Sequence, residues 1–360
     1  MSRNAVGTAL PNELQAELNR KKTDLDIDKI NTDHDRLLER QKESDFLKNF
    51  DLHKNRSEYI NALANSSTDY LLKARDAGVF LNDSFASVVP FFPRNVILIG
   101  AETGVGKSTI SANLAFNAML QGHKVLIIVN EENPADVYNR ITCLIKGWSY
   151  ADHQKFTDEQ IKVFAEMMPI LAERIMVVGD DYGGGSGLTT TIEGIESLLR
   201  SLIKTKADFN HIIIDYYQNI DRSAQSSNTD INTVQYRFCK FIDQYKNASN
   251  ATITILAQKK PSEEGKTSSF KDAIEGRKTI MNIATCAINV AKDVELSRTS
   301  FEIVKSRFSG SMGVKVFLGF DKGKYVDYSA EFKNQAIIRR DQKKQAELMA
   351  KVNPTNNNGG

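Results

Sequence analysis

An apolar run, a glycine loop and a helix-like stretch follow one another between Asn95 and Met119, and no other part of the chain constrains its fold as strongly. Val96-Ile-Leu-Ile99 reads as a buried strand. The loop Ala101-Glu102-Thr103-Gly104-Val105-Gly106-Lys107-Ser108-Thr109 follows, with glycine where backbone must pass closest to a bound phosphate. Ile110 to Met119 then continues as a helix. Backbone N–H groups turned into such a loop, together with the positive end of the helix, cradle phosphate oxygens. Lys107 is placed to reach the outer phosphates and Ser108 to ligate Mg²⁺, so residues 101–109 are expected to bind ATP or a close relative. The pattern departs at one point: its usual first glycine is Ala101, and Gly100 comes one residue too early.

The chain of 360 residues, 41% hydrophobic, can bury one sizeable α/β core plus an appendage. Its 47 Lys and Arg stand against 45 acidic residues, so net charge neither argues for nor excludes a nucleic-acid partner. Cys143, Cys239 and Cys286 lie far apart, which fits reduced thiols and supplies no zinc-ligand pair. No apolar stretch reaches the roughly 18 residues of a membrane span, and Met1-Ser-Arg-Asn lacks the apolar core of a signal peptide. A cytoplasmic location without membrane contact is expected.

Three segments emerge. Residues 1–83 are densely charged, with apolar residues such as Leu37, Phe46 and Phe50 too sparse for a core, and read as a helical N-terminal extension that needs a partner surface. Residues 84–330 alternate β-rich runs with amphipathic stretches, the runs being Val96–Ile99, Val125–Val129, Ile175–Val178, His211–Ile214, Thr252–Leu256, Ala287–Ala291, Phe301–Val304 and Val314–Phe320. That alternation predicts an α/β fold with a mostly parallel sheet flanked by helices and late antiparallel additions. Residues 331–360 form a basic helix, Lys333 to Lys351, and an Asn- and Gly-rich tail expected to be disordered.

Three further positions complete an ATPase, each at a strand end. Glu131 and Glu132 follow the second run, just before Asn133-Pro134, a good helix start. A carboxylate there can orient or deprotonate an attacking water. Asp215 closes the run His211-Ile-Ile-Ile and is the second expected Mg²⁺ ligand. Gln258, after Thr252 to Leu256, could sense the terminal phosphate.

In this order, Gly-Val-Gly-Lys-Ser108, Glu-Glu-Asn-Pro-Ala-Asp136, Ile-Asp215-Tyr-Tyr-Gln, Leu-Ala-Gln258 and Ile-Val-Lys305-Ser-Arg307-Phe-Ser-Gly310 resemble the RecA-type motor domain of DnaB-type replicative helicases, including their phage versions. The resemblance runs from about Ser84 to Tyr328. It implies a RecA-like fold, ATP hydrolysis with Mg²⁺, a homo-oligomer in the form of a hexameric ring, and single-stranded DNA in the channel of that ring. Lys305 and Arg307 match the family's pair that enters the neighbouring subunit's nucleotide site. For the catalytic glutamate, the strand alignment points to Glu131 and the following proline to Glu132; the strand alignment is preferred. The stretch Lys271 to Asn282 lacks the acidic run usual in these helicases, and the residues before Ser84 do not read as the compact helical domain of the cellular enzymes. A reduced amino-terminal collar, or a primase or loader that supplies the missing functions, is expected.

Two stretches are candidates for gripping DNA: Arg222 to Asp230, and Lys259 to Lys278 with Lys259, Lys260, Lys266, Lys271, Arg277 and Lys278. A RecA-like recombinase or recombination mediator would share the ATP residues but form filaments. A KaiC-like regulatory ATPase would form rings indifferent to DNA.

Overall fold

The computed structural model describes residues 93–179, 191–205, 207–215, 231–249, 251–259, 277–294, 296–307 and 310–352, with single residues and short pieces between 60 and 89 and at Thr189, Phe270 and Ile274. The chain divides into two compact units, Met1–Asp69 and Tyr70–Gly360. Of the first, helical residues at 60–61, 64–65 and 67–68 are described. Most of the expected N-terminal extension, all of Arg222 to Asp230, and the C-terminal tail lie outside the described residues.

The second unit is built on one nine-stranded sheet. Its elements are β1 (Val96–Ala101), α1 (Lys107–Leu120), β2 (Val125–Val129), α2 (Pro134–Lys146), a 3₁₀ segment (Tyr150–Lys155), α3 (Asp158–Ala172), β3 (Ile175–Val178), α4 (Ile192–Lys204), β4 (His211–Asp215), α5 (Ile231–Ser249), β5 (Thr252–Gln258), α6 (Arg277–Ile283), β6 (Cys286–Asp293), β7 (Arg298–Ser306), β8 (Lys315–Asp321), β9 (Lys324–Asp327) and α7 (Ala330–Val352). The strand order is β3-β2-β4-β5-β1-β6-β7-β8-β9. Strands from β3 across to β6 run parallel, and β7, β8 and β9 add antiparallel. This is the mostly parallel, helix-flanked sheet that the alternating runs predict.

The central strands are buried along their whole length because both faces are covered. Val96, Leu98, Leu126 and Ile128 point into a cluster with α4, α5 and α6. Ile97, Ile99, Val125 and Ile127 point into the other, with α1, α2 and Leu171 of α3. Leu81, Phe85 and Val89 also bury in this second cluster, so that core begins before Ser84.

Local signals set the helix ends. Pro134 opens α2 and Asn133 caps it, its side chain accepting from the Ala135 N–H at 2.8 Å. Gly147, left-handed at φ 67°, ends it. The predicted run Val314 to Phe320 extends into a hairpin, β8 and β9, that the run alone did not announce. Lys322 and Gly323 turn it with φ of 45° and 89°.

His211 starts β4 buried, its ring edge-on to His123 at 4.9 Å. Burial, with His123 adding to it, lowers its pKa from 6.5 to about 3. The folded chain therefore refuses a proton that the unfolded chain accepts. The stability this confers is complete above about pH 6.5 and is lost as pH falls from there toward 3, by up to about 1.4 kcal/mol per pH unit. Melting curves between pH 7.5 and 5 should fall less steeply for His211→Phe than for the wild type; parallel profiles would count against a neutral His211.

Candidate nucleotide site

The phosphate loop leaves the C-terminal end of β1. Gly104 and Gly106 adopt φ of 80° and 104°, so the two glycines supply left-handed backbone on either side of Val105. Gly106 is the N-cap of α1, and no side chain caps that helix, which suits a helix end built to receive an anion. Gly100 has a different task from the one its spacing suggests. A Cβ there would lie 2.5 Å from the Phe270 ring and 3.2 Å from Ile274 Cδ1, so any larger residue at the root of the loop would have to displace that ring.

Because β2 and β4 are neighbours, with Val129 opposite Asp215, their ends bring the acidic residues together. Ser108, Glu131, Glu132, Asn133, Asp136 and Asp215 line one cleft of about 360 Å³. Burial pushes the Asp215 carboxyl up to about 7, helped by Glu132 and Glu131 and opposed by Lys107 and a hydrogen bond with Ser108. Burial likewise holds the Lys107 ammonium below its ordinary value, against the pull of Asp215 and Glu131. The cleft thus concentrates negative charge with too little cation to balance it, and a divalent ion fits there. Ser108 and Asp215 would hold it. Among the described residues no group of three or more His, Cys, Asp or Glu could grip a metal alone. Phosphate oxygens and water would complete the shell.

The two glutamates differ. Glu131 is exposed. Glu132 is held by Arg140, whose Nε and Nη2 both donate to Oε1 at 2.9 and 2.5 Å, while its Oε2 is buried and accepts no hydrogen bond among the described residues. On the other side of the loop, Gln258 at the end of β5 pairs with Ala101 and donates from Nε2 to Thr103 Oγ1 at 2.8 Å.

Lys259, expected among DNA-facing cations, instead turns inward. It is 8% exposed, donates to Asn289 Oδ1 at 3.0 Å and lies 3.6 Å from Glu102. A buried ammonium needs such partners, and β6 and the phosphate loop provide them. Lys260, Lys266 and Lys271 lie outside the described residues, and Arg277 and Lys278 open α6.

Lys305 and Arg307 are not brought to this loop. Ser306 at the end of β7 pairs with Cys286 at the start of β6, whereas Ala101 pairs with Val290. The pair therefore sits at the opposite edge of the sheet, where Lys305 Nζ donates to the Met281 carbonyl and Arg307 Nη2 to the Asn282 carbonyl at 2.5 Å. Both cap the C-terminal end of α6.

A model of the DnaB-like helicase C-terminal domain matches residues 87–268, half of the chain and all of the strand ends that form this cleft. The chain belongs to the DnaB-like helicases. As a member of that family it is an ATP-hydrolysing P-loop enzyme, and nucleotide and divalent metal are the family's requirements. The match stops before Lys305 and Arg307. Among solved structures, the fold is similar to that of an isolated ATPase domain, with TM-score 0.59 and 13% identity over 75% of this chain and 99% of that one. It is also similar to a DnaB-like replicative helicase whose structure was described together with its interactions with primase, with TM-score 0.54 and 15% identity over 66% of this chain and 58% of that one. No curated protein sequence matches. No helix among the described residues is long and apolar enough to cross a membrane.

This DnaB-like helicase has a second cavity that its motifs did not reveal. An apolar pocket of about 280 Å³ lies between α1, α2, the 3₁₀ segment and the β8–β9 turn, lined by Thr109, Arg140, Tyr150, Phe320 and Gly323 among others. Asn113 ties these elements together, donating to the Gly323 carbonyl at 2.8 Å and accepting from the Tyr325 N–H at 3.1 Å. The Asp136 and Arg140 spacing along α2 is the one sequence signal that could have drawn attention to this wall.

Proposed function

We propose that this chain is a ring-forming replicative helicase that hydrolyses ATP as it translocates on single-stranded DNA. The observation that carries the reading is the separation of Arg307 from its own phosphate loop. Cys286 and Val290, the β6 partners of Ser306 and Ala101, are four residues apart along the strand, roughly 13 Å. A guanidinium at that edge serves a phosphate only if a second copy presents one.

Within one site, Lys107 stabilises charge that builds on the transferred phosphoryl group. Mg²⁺ held by Ser108 and Asp215 would neutralise phosphate charge. The strand alignment prefers Glu131 as the water-orienting carboxylate; the fork from Arg140 and the unpaired, buried Oε2 support Glu132 in that role, with Glu131 adding negative charge beside Lys107. Gln258, next to Thr103, is suited to report on the terminal phosphate. Thr109 belongs to both the loop and the apolar pocket, which supports a seat for the nucleoside there. The motor region is taken as 84–330, preceded by the 1–83 extension, with primase or loader contacts falling outside it.

Negative-stain microscopy with ATP and single-stranded DNA tests this directly, together with ATPase assays across a salt series. Rings threaded by DNA are expected, with DNA-stimulated turnover whose DNA affinity falls steeply with salt as phosphate-bound cations are released. Filaments on DNA, or rings whose turnover ignores DNA, would overturn it.

A further inference from the structure

Arg140 lines the apolar pocket and holds a residue that lines the acidic cleft. On one side its fork holds Glu132 in the acidic cleft. On the other its guanidinium forms part of the apolar pocket, stacked 4.8 Å from the centre of the Tyr150 ring. The Tyr150 hydroxyl in turn donates to Asp136 Oδ1 at 2.7 Å, and Asp136 lines the cleft again. Glu132, Arg140, Tyr150 and Asp136 therefore form a chain of contacts whose two ends line the cleft where phosphate chemistry would occur and whose middle lines the pocket that fits a planar, apolar group.

Glu132 is held asymmetrically. Both Arg140 nitrogens go to one oxygen, so Oε1 is anchored while Oε2 keeps its capacity to accept. A planar fork does this where a point charge does not. A base filling the pocket would press the guanidinium between itself and Tyr150 and remove its remaining freedom. An empty pocket leaves that support on one side only.

We infer that Arg140 is a positioning residue that locks Glu132 for hydrolysis and ties that lock to occupancy of the apolar pocket by a nucleoside base. The inference rests on the reading of Glu132 given above. It requires that a triphosphate carrying a base turn over faster than one without.

Steady-state hydrolysis of ATP and of inorganic tripolyphosphate by the full chain, with Mg²⁺ and single-stranded DNA, tests it. The wild type should show a kcat for ATP at least about tenfold above that for tripolyphosphate. Arg140→Gln should lower kcat for ATP on the order of 10²-fold with KM within about threefold, the signature of a misplaced group and not of lost binding. The ratio between the two compounds should collapse toward one. Arg140→Lys should recover part of kcat, because it restores the charge without the fork. If Arg140→Gln does not fold, Tyr150→Leu removes the stacking support together with the hydrogen bond to Asp136 and should cost roughly tenfold in kcat for ATP alone, whereas Tyr150→Phe, which removes only that hydrogen bond, should keep wild-type kcat. A loss confined to KM, or a substrate ratio unchanged in Arg140→Gln or Tyr150→Leu, overturns the inference. Glu132→Gln distinguishes the layers: if it retains turnover, the reading of Glu132 falls; if it is inactive while Arg140→Gln keeps wild-type kcat, only the role of Arg140 falls.

Discussion

Lys107→Ala should hydrolyse ATP at least about 10³-fold more slowly than the wild type and melt no lower. The first half follows from position. Lys107 opens α1 directly after the two left-handed glycines and lies within the field of Asp215 and Glu131, two residues that line the acidic cleft. In the function proposed above it is the loop's own cation for charge that develops on a phosphoryl group in transit. The second half follows from burial, which holds its ammonium below the ordinary lysine value and so opposes the charged form in the folded chain. Removing the side chain removes that cost along with the favourable pull of two carboxylates. Catalytic residues of this kind are retained for function at the expense of stability. Thermal melting and ATPase assays on the same preparation check both halves, and substantial turnover in Lys107→Ala would remove the phosphate-loop assignment.

Arg307→Ala should bind ATP and assemble normally yet lose about 10³- to 10⁵-fold in turnover, the range expected when an arginine finger is removed. Its intrachain contacts predict nothing so large. The Arg307 side chain donates to the Asn282 carbonyl from an exposed position, and its N–H to the Thr285 carbonyl survives the substitution. Losing one such side-chain bond costs about 0.5 to 1.5 kcal/mol of stability. Mixing separates the alternatives. A Lys107→Ala subunit still carries Arg307, and an Arg307→Ala subunit still carries an intact loop. Combined, they should regain activity neither has alone, because some interfaces then pair a good loop with a good arginine. Mixtures that stay inactive across all ratios, with subunit exchange verified, would argue that no site is shared between copies.

The candidate nucleotide site was legible wherever its parts are local. The strand, the glycines at 104 and 106, Lys107 and Ser108 are consecutive, and the Asn133-Pro134 start of α2 is a two-residue signal. Fold class was legible for the same reason, since each strand and helix announces itself within a short stretch of sequence. What escaped depends on partners far along the chain. Lys259 reads as a surface cation from its neighbours in sequence, but Asn289 across the sheet and Glu102 in the loop draw it inside. Gly100 reads as a misplaced loop glycine until Phe270 is seen to need its space. Arg140 gains meaning only because α2 and the 3₁₀ segment pack so that it meets Glu132 and Tyr150 together. The run Val314 to Phe320 announces β8, but β9, only Lys324–Asp327, is too short to stand out beyond the Lys322-Gly323 turn.

The seating of Phe270 on Gly100 also has a mechanical meaning. The ring and Ile274 press on the backbone one residue before the phosphate loop, and Ile274 is bridged to Lys259, one residue after Gln258. Lys259 and Phe270 therefore both stand beside the root of that loop. The backbone at the root of the loop therefore has no room on that side: it can move toward Phe270 only if the ring moves with it.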